Sequence, residues 1–290
     1  MARPGNNQVL LVIPTYRPTE SLFALISTAA SQVSSVVISD DGSPCTFDPL
    51  FTQIPASIGV IRHERNAGIA RGLNDGLAAA THRGAEWLLT VDQDSEIEPD
   101  YVAKLVKEAE RRIESGEHLG AIGAEGIIDA SGVLTYPHKQ SLAGPITEEV
   151  IQTGTLWSVA ALTEIAGFDE RLGIDAVDAA ACLRLRERGY TIALAPGVHL
   201  RHHIGNGTTV SVLGRRVMVT GHTPHRRTTM VRNRLRLFPA EFRQSPTHAF
   251  RTLRRVAFNQ TLGLVIEQQR KEKALASLKG LLPKRAESEN

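Results

Sequence analysis

Two aspartates follow directly on an apolar run of the chain. The run Trp87–Val91 leads into Asp92 and Asp94, which lie two residues apart. Two carboxylates this close repel each other unless a cation or a hydroxyl-rich ligand neutralises them. Mg²⁺ takes few carboxylates and completes its shell with the phosphate oxygens of a substrate. The pair therefore predicts a divalent-cation site facing a phosphorylated ligand. The alternative is a solvated turn, or a helix start at Ser95 and Pro99.

A second acidic pair, Asp40 and Asp41, follows the apolar run VVIS one strand earlier. Residues 65–76, RNAGIARGLNDG, then place glycines through the start of a helical pattern. Glycines allow close backbone approach to a ligand, and a helix N-terminus attracts phosphate. The spacing is neither the dinucleotide fingerprint nor a P-loop. A phosphate-containing ligand is predicted beside the acidic pairs, with helix packing as the alternative role of Gly72 and Gly76.

Short apolar runs must position these residues. VLLVIPTY, SSVVIS, IGVIRH and EWLLTV alternate with helical patterns. Unbroken Val, Ile and Leu runs that alternate with helices are typical of an α/β sheet with parallel strands. Ligands of such sheets bind beyond the carboxyl ends of the strands, where both acidic pairs fall.

The remaining chain divides into a continuation of this domain and a different region. A helix over 99–115, the strand LGAIGAEGIID, a polar loop over 130–149, a helix over 176–188 and the strand TIALAPGVHL are predicted. Beyond Gly205 the sequence has helical patterns rich in Arg, Thr and Leu. We predict one catalytic domain, 1–205, and a helical C-terminal extension, 206–290.

The composition is that of an ordinary soluble globular protein, with 42% hydrophobic and 22% charged residues in 290. Cys45 and Cys182 lack the spacing of a disulfide framework or zinc site, so a reducing cytoplasm is the expected location. No run of about 18 apolar residues predicts a membrane span, and the N-terminal apolar run is too short for the core of a signal peptide.

The formal net charge of +2 conceals an asymmetry, because most acids precede Asp178 while Arg and His crowd the chain from Arg184 onward. The segment HAFRTLRRVAFNQTLGLVIEQQRKEKALASLKGLL alternates apolar and basic positions. Such helices pack on a catalytic domain or form a homo-oligomer, or they lie on the anionic inner face of a cell membrane as a peripheral contact. We rank packing first. The arginines lack the motifs and aromatic interleaving of a nucleic-acid binder, so no nucleic-acid partner is predicted.

The order of the motifs resembles one known family. VIPTYRP, SDDGS, RNAGIARGLNDG, TVDQDS, GFDERLGIDAVDAAACLRLRERGY and HHIG together resemble the family 2 inverting glycosyltransferases of the GT-A fold. TVDQDS, GIDAVD and RRTTMVRNRLRLF resemble the rhamnosyltransferase-type branch. The resemblance covers about Val9 to Phe238. It implies a mainly parallel central sheet flanked by helices, a nucleotide-sugar half of about 1–98 and an acceptor half of about 99–205.

The resemblance also implies roles for individual residues on the donor side. The nucleotide sugar would contact Thr15, Tyr16, Asp40, Arg65, Asn66, Arg71 and Asp92. Asp40 would accept a hydrogen bond from the base, and Asp41 would stabilise its turn. Asp94 would bind Mg²⁺ or Mn²⁺ together with Asp92. His202, three residues before Gly205, matches the family position for a further metal ligand.

Inverting transfer needs one general base on the acceptor side. In the family pattern this base is an Asp six residues before an Arg, and counting back from Arg184 gives Asp178. Asp175 is the alternative, as a base, an acceptor contact or a helix N-cap. The family often has an acid two residues after the base, where this chain has Ala180.

Three further residues receive roles from the resemblance. Trp157 falls where the family lines its acceptor pocket; the alternative is a tryptophan buried in the core. Arg227 and Arg232 are candidates for binding the departing diphosphate, with a solvated helix face as the alternative.

The implied activity is metal-dependent transfer of L-rhamnose from dTDP-rhamnose to a hydroxyl of a cell-surface or lipid-linked glycan. A UDP-sugar donor, as in galactofuranosyl transfer, is one alternative. A catalytically silent subunit that binds a nucleotide sugar is another, favoured by Ala180 and opposed by Asp94, Asp178 and His202.

Overall fold

A computed structural model describes residues 8–129, 132–202, 208–212, 215–219, 221–266 and 270–282. These residues form two compact units. The first takes in the described chain up to Gly173 and from 177 to 202, and the second takes in Ile174–Ala176 and the described chain from 208 onward.

The first unit alternates strands and helices in its N-terminal part. Its strands are β1 (Val9–Thr15), β2 (Ser35–Asp40), β3 (Gly59–Arg62), β4 (Trp87–Thr90), β5 (Ser95–Glu96), β6 (Leu119–Asp129), β7 (Gly132–Thr135), β8 (His138–Ser141), β9 (Gly144–Thr147), β10 (Thr155–Ser158) and β11 (Thr191–His202). Its helices are α1 (Ser21–Ala30), α2 (Asp48–Phe51), α3 (Ile69–His82), α4 (Tyr101–Glu114), α5 (Val159–Glu164) and α6 (Val177–Glu187).

Within the described residues these strands form one mixed sheet of order β3-β2-β1-β4-β10-β6-β11-β9-β8, with β5 paired to β11 and β7 paired to β6. The pairs β1–β2, β2–β3, β1–β4 and β6–β11 are parallel. The other pairs are antiparallel. The α/β prediction is confirmed, but the sheet is mixed and not mainly parallel as predicted, because most of the strand pairs that involve β5 to β11 are antiparallel.

The centre of the core is β1, whose residues Val9 to Ile13 have no exposed surface. A Cβ added at Gly76 of α3 would lie 2.4 Å from the Cβ of Val12, and one at Gly72 would lie 3.2 Å from the Cβ of Pro14. Both glycines therefore let α3 pack closely on β1, which is the packing role that the sequence left open.

Two predictions of chain conformation were wrong. The segment 130–149, predicted as a loop, contains β7, β8 and β9; every residue of β7 and most of β8 is exposed, so an apolar alternation does not mark these strands. The prediction of helices alone beyond Gly205 is also wrong, since β12 (Thr208–Val212) and β13 (Arg215–Val219) form an antiparallel pair; the predicted C-terminal helices follow from Pro224 and are confirmed.

Three helices complete the second unit: α7 (Pro224–Gln244), α8 (Pro246–Ile266) and α9 (Arg270–Gly280). The hydroxyl of Thr223 caps α7 by accepting from the Arg226 backbone N–H at 3.3 Å. None of the helices in the described chain is both long enough and apolar enough to cross a membrane.

Candidate functional site

Asp92, Asp94 and His202 lie together at the edge of the sheet. One ligand atom from each side chain lies within 4.8 Å of the other two. His202 Nε2 is 3.8 Å from Asp92 Oδ2, and His202 Nδ1 is 3.7 Å from Asp94 Oδ1. The pairing of β5 with β11 brings them together, because His202 lies opposite Ser95, the residue after Asp94. Two carboxylates and an imidazole are a donor set that fits Mn²⁺ or Mg²⁺.

A buried polar shell orients this cluster. Ser95 Oγ lies 2.9 Å from His202 Nδ1 and 2.9 Å from Thr153 Oγ1. Thr153 Oγ1 accepts a hydrogen bond from the Asp92 backbone N–H at 2.9 Å, and the side-chain amide of Gln152 donates to the Asp92 carboxylate. Metal-binding histidines commonly use their second nitrogen in such a contact, which fixes the orientation of the ring. Sequence reasoning missed Ser95, Gln152 and Thr153 in this role.

The end of β1 is tied to the acidic pair by Gln93, the residue between the two aspartates. Its Oε1 accepts from the Tyr16 backbone N–H at 3.0 Å, and its Nε2 donates to the Tyr16 carbonyl at 3.2 Å. The Tyr16 side chain is 40% exposed, with the Arg17 guanidinium carbon 5.1 Å from its ring centroid. Thr15 is buried. Tyr16 is therefore available to a ligand next to Asp92 and Asp94, whereas the Thr15 hydroxyl is turned to Asp40.

Asp40 has a different role from the one predicted. Its side chain has no exposed surface. Its carboxylate accepts from Thr15 Oγ1 at 3.2 Å, from Ser43 Oγ at 2.5 Å, from the Ser43 backbone N–H at 3.0 Å and from Arg62 Nε at 3.4 Å. These donors occupy about the four acceptor positions that a carboxylate offers. Asp40 thus anchors the turn after β2, and the prediction that it meets a nucleotide base is corrected.

Asp41 stabilises the loop before α3 and not its own turn, which was the prediction. Its carboxylate accepts from the backbone N–H groups of Ala67 and Gly68 at 2.6 and 2.9 Å. This contact fixes the segment that precedes α3. Three predicted donor-side residues lie with exposed side chains in or just after this segment: Arg65, Asn66 and Arg71.

Asp178 lies in the first turn of α6 and is half-buried. Burial raises the pKa of the Cys182 thiol to about 12, and the negative charges of Asp178 and Glu149 contribute to that rise. Burial also raises the pKa of Tyr136, with the same two carboxylates contributing. Asp178 therefore lies near Tyr136, a residue of the β7–β8 segment that sequence reasoning did not single out. Ala180 is buried.

Asp175 is not part of the α6 helix. Its φ is +66° and that of Ala176 is +62°, so the helix begins only at Val177 and Asp175 is not the residue directly before it, as an N-cap would be. Arg226 of α7 holds the Asp175 carboxylate, with Nη2 and Nε 3.1 and 3.2 Å from Oδ1. Burial raises the pKa of Asp175, and the charge of Arg226 opposes that rise.

Comparisons with known proteins show which proteins the chain resembles in sequence and in fold. Residues 10–129 match the family model described as Glycosyl transferase family 2. The chain is a glycosyltransferase that is similar to family 2 over these residues. The match covers β1 to β6, which carry the acidic pairs and the glycine-rich segment.

Relatives of this glycosyltransferase extend the likeness along the chain. It is 29% identical over 243 residues to the dTDP-rhamnosyl transferase RfbF of Shigella flexneri, covering 79% of each chain. The crystal structure of S. aureus TarS 1–349 aligns over 94% of this chain and 79% of its own, with a TM-score of 0.61 and 16% identity. GalNAc-T7 with UDP, GalNAc and Mn²⁺ aligns over 71% and 44%, with a TM-score of 0.54 and 13% identity. The predicted resemblance to family 2 and the GT-A fold are confirmed.

In this glycosyltransferase Trp157 is a core residue, and the prediction that it stacks on an acceptor is corrected. The side chain has no exposed surface on β10. Its Nε1 donates to Thr90 Oγ1 at 2.9 Å, and its ring meets that of Phe168 edge to face with centroids 5.4 Å apart. The ring is therefore buried, and its faces are not open to a sugar.

The two arginines predicted to bind diphosphate differ in their surroundings. Arg227 is 3% exposed and donates from Nη1 to the backbone carbonyl and to the side-chain Oε1 of Gln260, at 3.1 and 2.9 Å. Its guanidinium joins α7 to α8, so the diphosphate role is corrected. Arg232 is half-buried, and its role stays a prediction.

Asn74 was not predicted as a site residue, although it lies within RNAGIARGLNDG. Its Oδ1 accepts from the Phe168 backbone N–H at 2.8 Å, and its Nδ2 donates to the Phe168 carbonyl at 3.0 Å and to Glu170 Oε1 at 2.8 Å. Gly68 meets the same loop, because a Cβ there would lie 2.5 Å from the Gly173 carbonyl oxygen. Both contacts fix the loop that leads toward α6.

Proposed function

We propose that this chain is a metal-dependent inverting rhamnosyltransferase. It transfers L-rhamnose from dTDP-rhamnose to a hydroxyl of a cell-surface or lipid-linked glycan. The observation that carries the proposal is the cluster of Asp92, Asp94 and His202, which fits a divalent cation beside the exposed Tyr16. Similarity to a dTDP-rhamnosyl transferase supports the choice of donor.

On the donor side, Asp92, Asp94 and His202 would hold Mg²⁺ or Mn²⁺. When bound, the cation supplies positive charge for the diphosphate oxygens as the sugar leaves. The exposed ring of Tyr16 offers a face to the nucleotide base. The exposed side chains of Arg65 and Arg71 offer cationic donors to phosphate.

On the acceptor side, Asp178 is the proposed general base. Its carboxylate takes the proton of the acceptor hydroxyl while that oxygen bonds to the anomeric carbon and the bond from sugar to diphosphate breaks. Because the Asp175 carboxylate is already held by Arg226, Asp178 is the better candidate.

Calorimetric titration with dTDP-rhamnose, UDP-galactofuranose, UDP-glucose and GDP-mannose, each with Mn²⁺ and then with a chelator, tests the proposal. Selective binding of dTDP-rhamnose that disappears with the chelator is expected. A preference for a UDP-sugar would overturn the rhamnose assignment and leave the metal site standing. Binding of none of the four would remove the rhamnosyltransferase proposal and point to an untested donor class.

A further inference from the structure

The two longest helices of the second unit have a one-sided charge. α7 and α8 contain nine arginines and a single acid, Glu241, and α8 has no Asp or Glu at all. Glu241 is 2% exposed and lies 3.2 Å from the guanidinium of Arg234. The exposed charges on these helices are therefore all positive, and they include Arg243, Arg251 and Arg254.

Exposed aromatic rings lie among these arginines. Phe242 at the end of α7 and Phe250 in the second turn of α8 have ring centroids 5.6 Å apart, and Phe238 lies 5.8 Å from each. Phe242, Phe250 and Phe258 are 42%, 57% and 50% exposed. Phe250, Arg254 and Phe258 recur every four residues, so they share one face of α8. Large apolar side chains grouped on a surface mark a contact site.

We propose that an anionic lipid bilayer binds this aromatic–arginine surface, formed by Phe242, Phe250, Phe258, Arg243, Arg251 and Arg254. Helices that lie in a membrane interface combine exposed aromatic and apolar residues with Lys and Arg. Anionic headgroups attract the arginines, and the rings enter the boundary between headgroups and acyl chains. Membrane binding does not depend on the proposed transfer reaction. Its functional consequence does rest on the proposed function, because binding would bring the enzyme to a lipid-linked acceptor.

Charge favours a bilayer over a second copy of the chain. In a two-fold dimer the same patch meets itself, which would bring Arg243, Arg251 and Arg254 toward their own copies. Like charges brought together at an interface oppose association, whereas an anionic bilayer neutralises them. The surface is complementary in charge to phospholipid headgroups and not to itself.

Flotation with lipid vesicles tests the proposal on the full chain. Vesicles of phosphatidylcholine are compared with vesicles containing about one third phosphatidylglycerol, over about 0.05 to 0.5 M salt. We expect binding only to the anionic vesicles, weakening as salt rises. Arg251→Gln with Arg254→Gln should weaken binding about 25-fold, since each arginine near such a surface contributes about fivefold. Phe242→Ser with Phe250→Ser should weaken it at least about tenfold.

The matched control is Arg83→Gln with Leu142→Ser, which removes an exposed arginine and an exposed apolar side chain from the first unit. It should bind vesicles like the wild type. The proposal would be overturned if all variants bind vesicles equally, or if the wild type binds both vesicle types equally. It would also be overturned if the chain binds no vesicles and sedimentation shows a dimer that the phenylalanine variant loses. A chain that binds anionic vesicles but no donor would keep this inference and remove the proposed function.

Discussion

The side-chain amide of Asn233 donates to two consecutive backbone carbonyls, those of Ile174 and Asp175, each at 2.9 Å. Asn233 is 4% exposed. Asp175 and Ala176 both have positive φ, which costs a non-glycine residue about 1–2 kcal/mol. Asn233 and Arg226 of α7 thus hold a strained segment whose next residue begins the helix that carries Asp178. A residue of the C-terminal helices is therefore expected to position the proposed base.

Asn233→Ala should reduce kcat for glycosyl transfer at least about tenfold while leaving the Kd for dTDP-rhamnose unchanged. The variant removes one donor from two carbonyls, and each buried group left without a partner costs about 1–3 kcal/mol. Steady-state kinetics and calorimetry measure the two quantities, with the exposed Asn259→Ala as the control. An unchanged kcat, or a parallel loss of donor binding, would contradict the positioning role.

Asp178→Asn should bind donor normally and transfer the sugar about 10² to 10⁴ times more slowly, because the amide cannot accept the acceptor's proton. Asp175→Asn, which keeps an oxygen for Arg226, should retain most of the activity. Product formation with both variants is measured beside donor titrations. An active Asp178→Asn and an inactive Asp175→Asn would move the base to Asp175.

The loop contact between Gly68 and Gly173 can be tested through stability. A Cβ at Gly68 would lie 2.5 Å from the Gly173 carbonyl oxygen, and φ there is +98°. Gly116 also has positive φ, +87°, but a Cβ there would meet nothing within 4 Å. Gly116→Ala should lower the free energy of unfolding by about 1–2 kcal/mol, the cost of a positive φ. Gly68→Ala should lower it by that amount and by about 1–3 kcal/mol more, the cost of overpacking. Urea unfolding of both variants measures these losses. Equal losses in the free energy of unfolding would show that the loop around Gly173 moves away from the added methyl group at no cost.

The pKa of Asp175 predicts a pH-dependent stability. Burial raises this pKa, so the folded protein keeps the proton at a higher pH than the unfolded chain does. The contribution of this group to stability is full below about pH 4 and is lost as the pH rises through the folded pKa. The free energy of unfolding of wild type minus that of Asp175→Asn should therefore fall from about pH 4 upward and then level off. A difference that rises with pH would mean that Arg226 outweighs burial.

Much of the donor side could be predicted from sequence because local patterns determine it. The apolar runs before Asp40 and Asp92 are strands with parallel neighbours, and the acids fall at their carboxyl ends as expected. The exposed β7 and β8 could not be predicted in this way, because neither face of these strands is buried enough to give an apolar alternation.

The parts of the site that depend on packing between distant segments were harder to predict. Nothing in the spacing of Trp157 distinguishes a ring that bonds to Thr90 and packs against Phe168 from one that faces a sugar. The sequence likewise allows Arg227 to be a phosphate ligand. Only the structure shows that Gln260 of the next helix accepts its hydrogen bonds. The Ser95 contact to His202 depends on the register of β5 against β11, which spans more than 100 residues of chain.

The central claim is that Asp92, Asp94 and His202 bind the cation that holds the donor diphosphate. Its most direct test is titration of Mn²⁺ against the protein with dTDP present, with free Mn²⁺ followed by its paramagnetic resonance signal. We predict one bound Mn²⁺ per wild-type chain, loss of that site in Asp94→Ala, and about 10- to 100-fold weaker binding in Ser95→Ala, which removes the contact to His202 Nδ1. The exposed Ser31→Ala should bind Mn²⁺ like the wild type. Unchanged Mn²⁺ binding in Asp94→Ala, or none in the wild type, would contradict the claim.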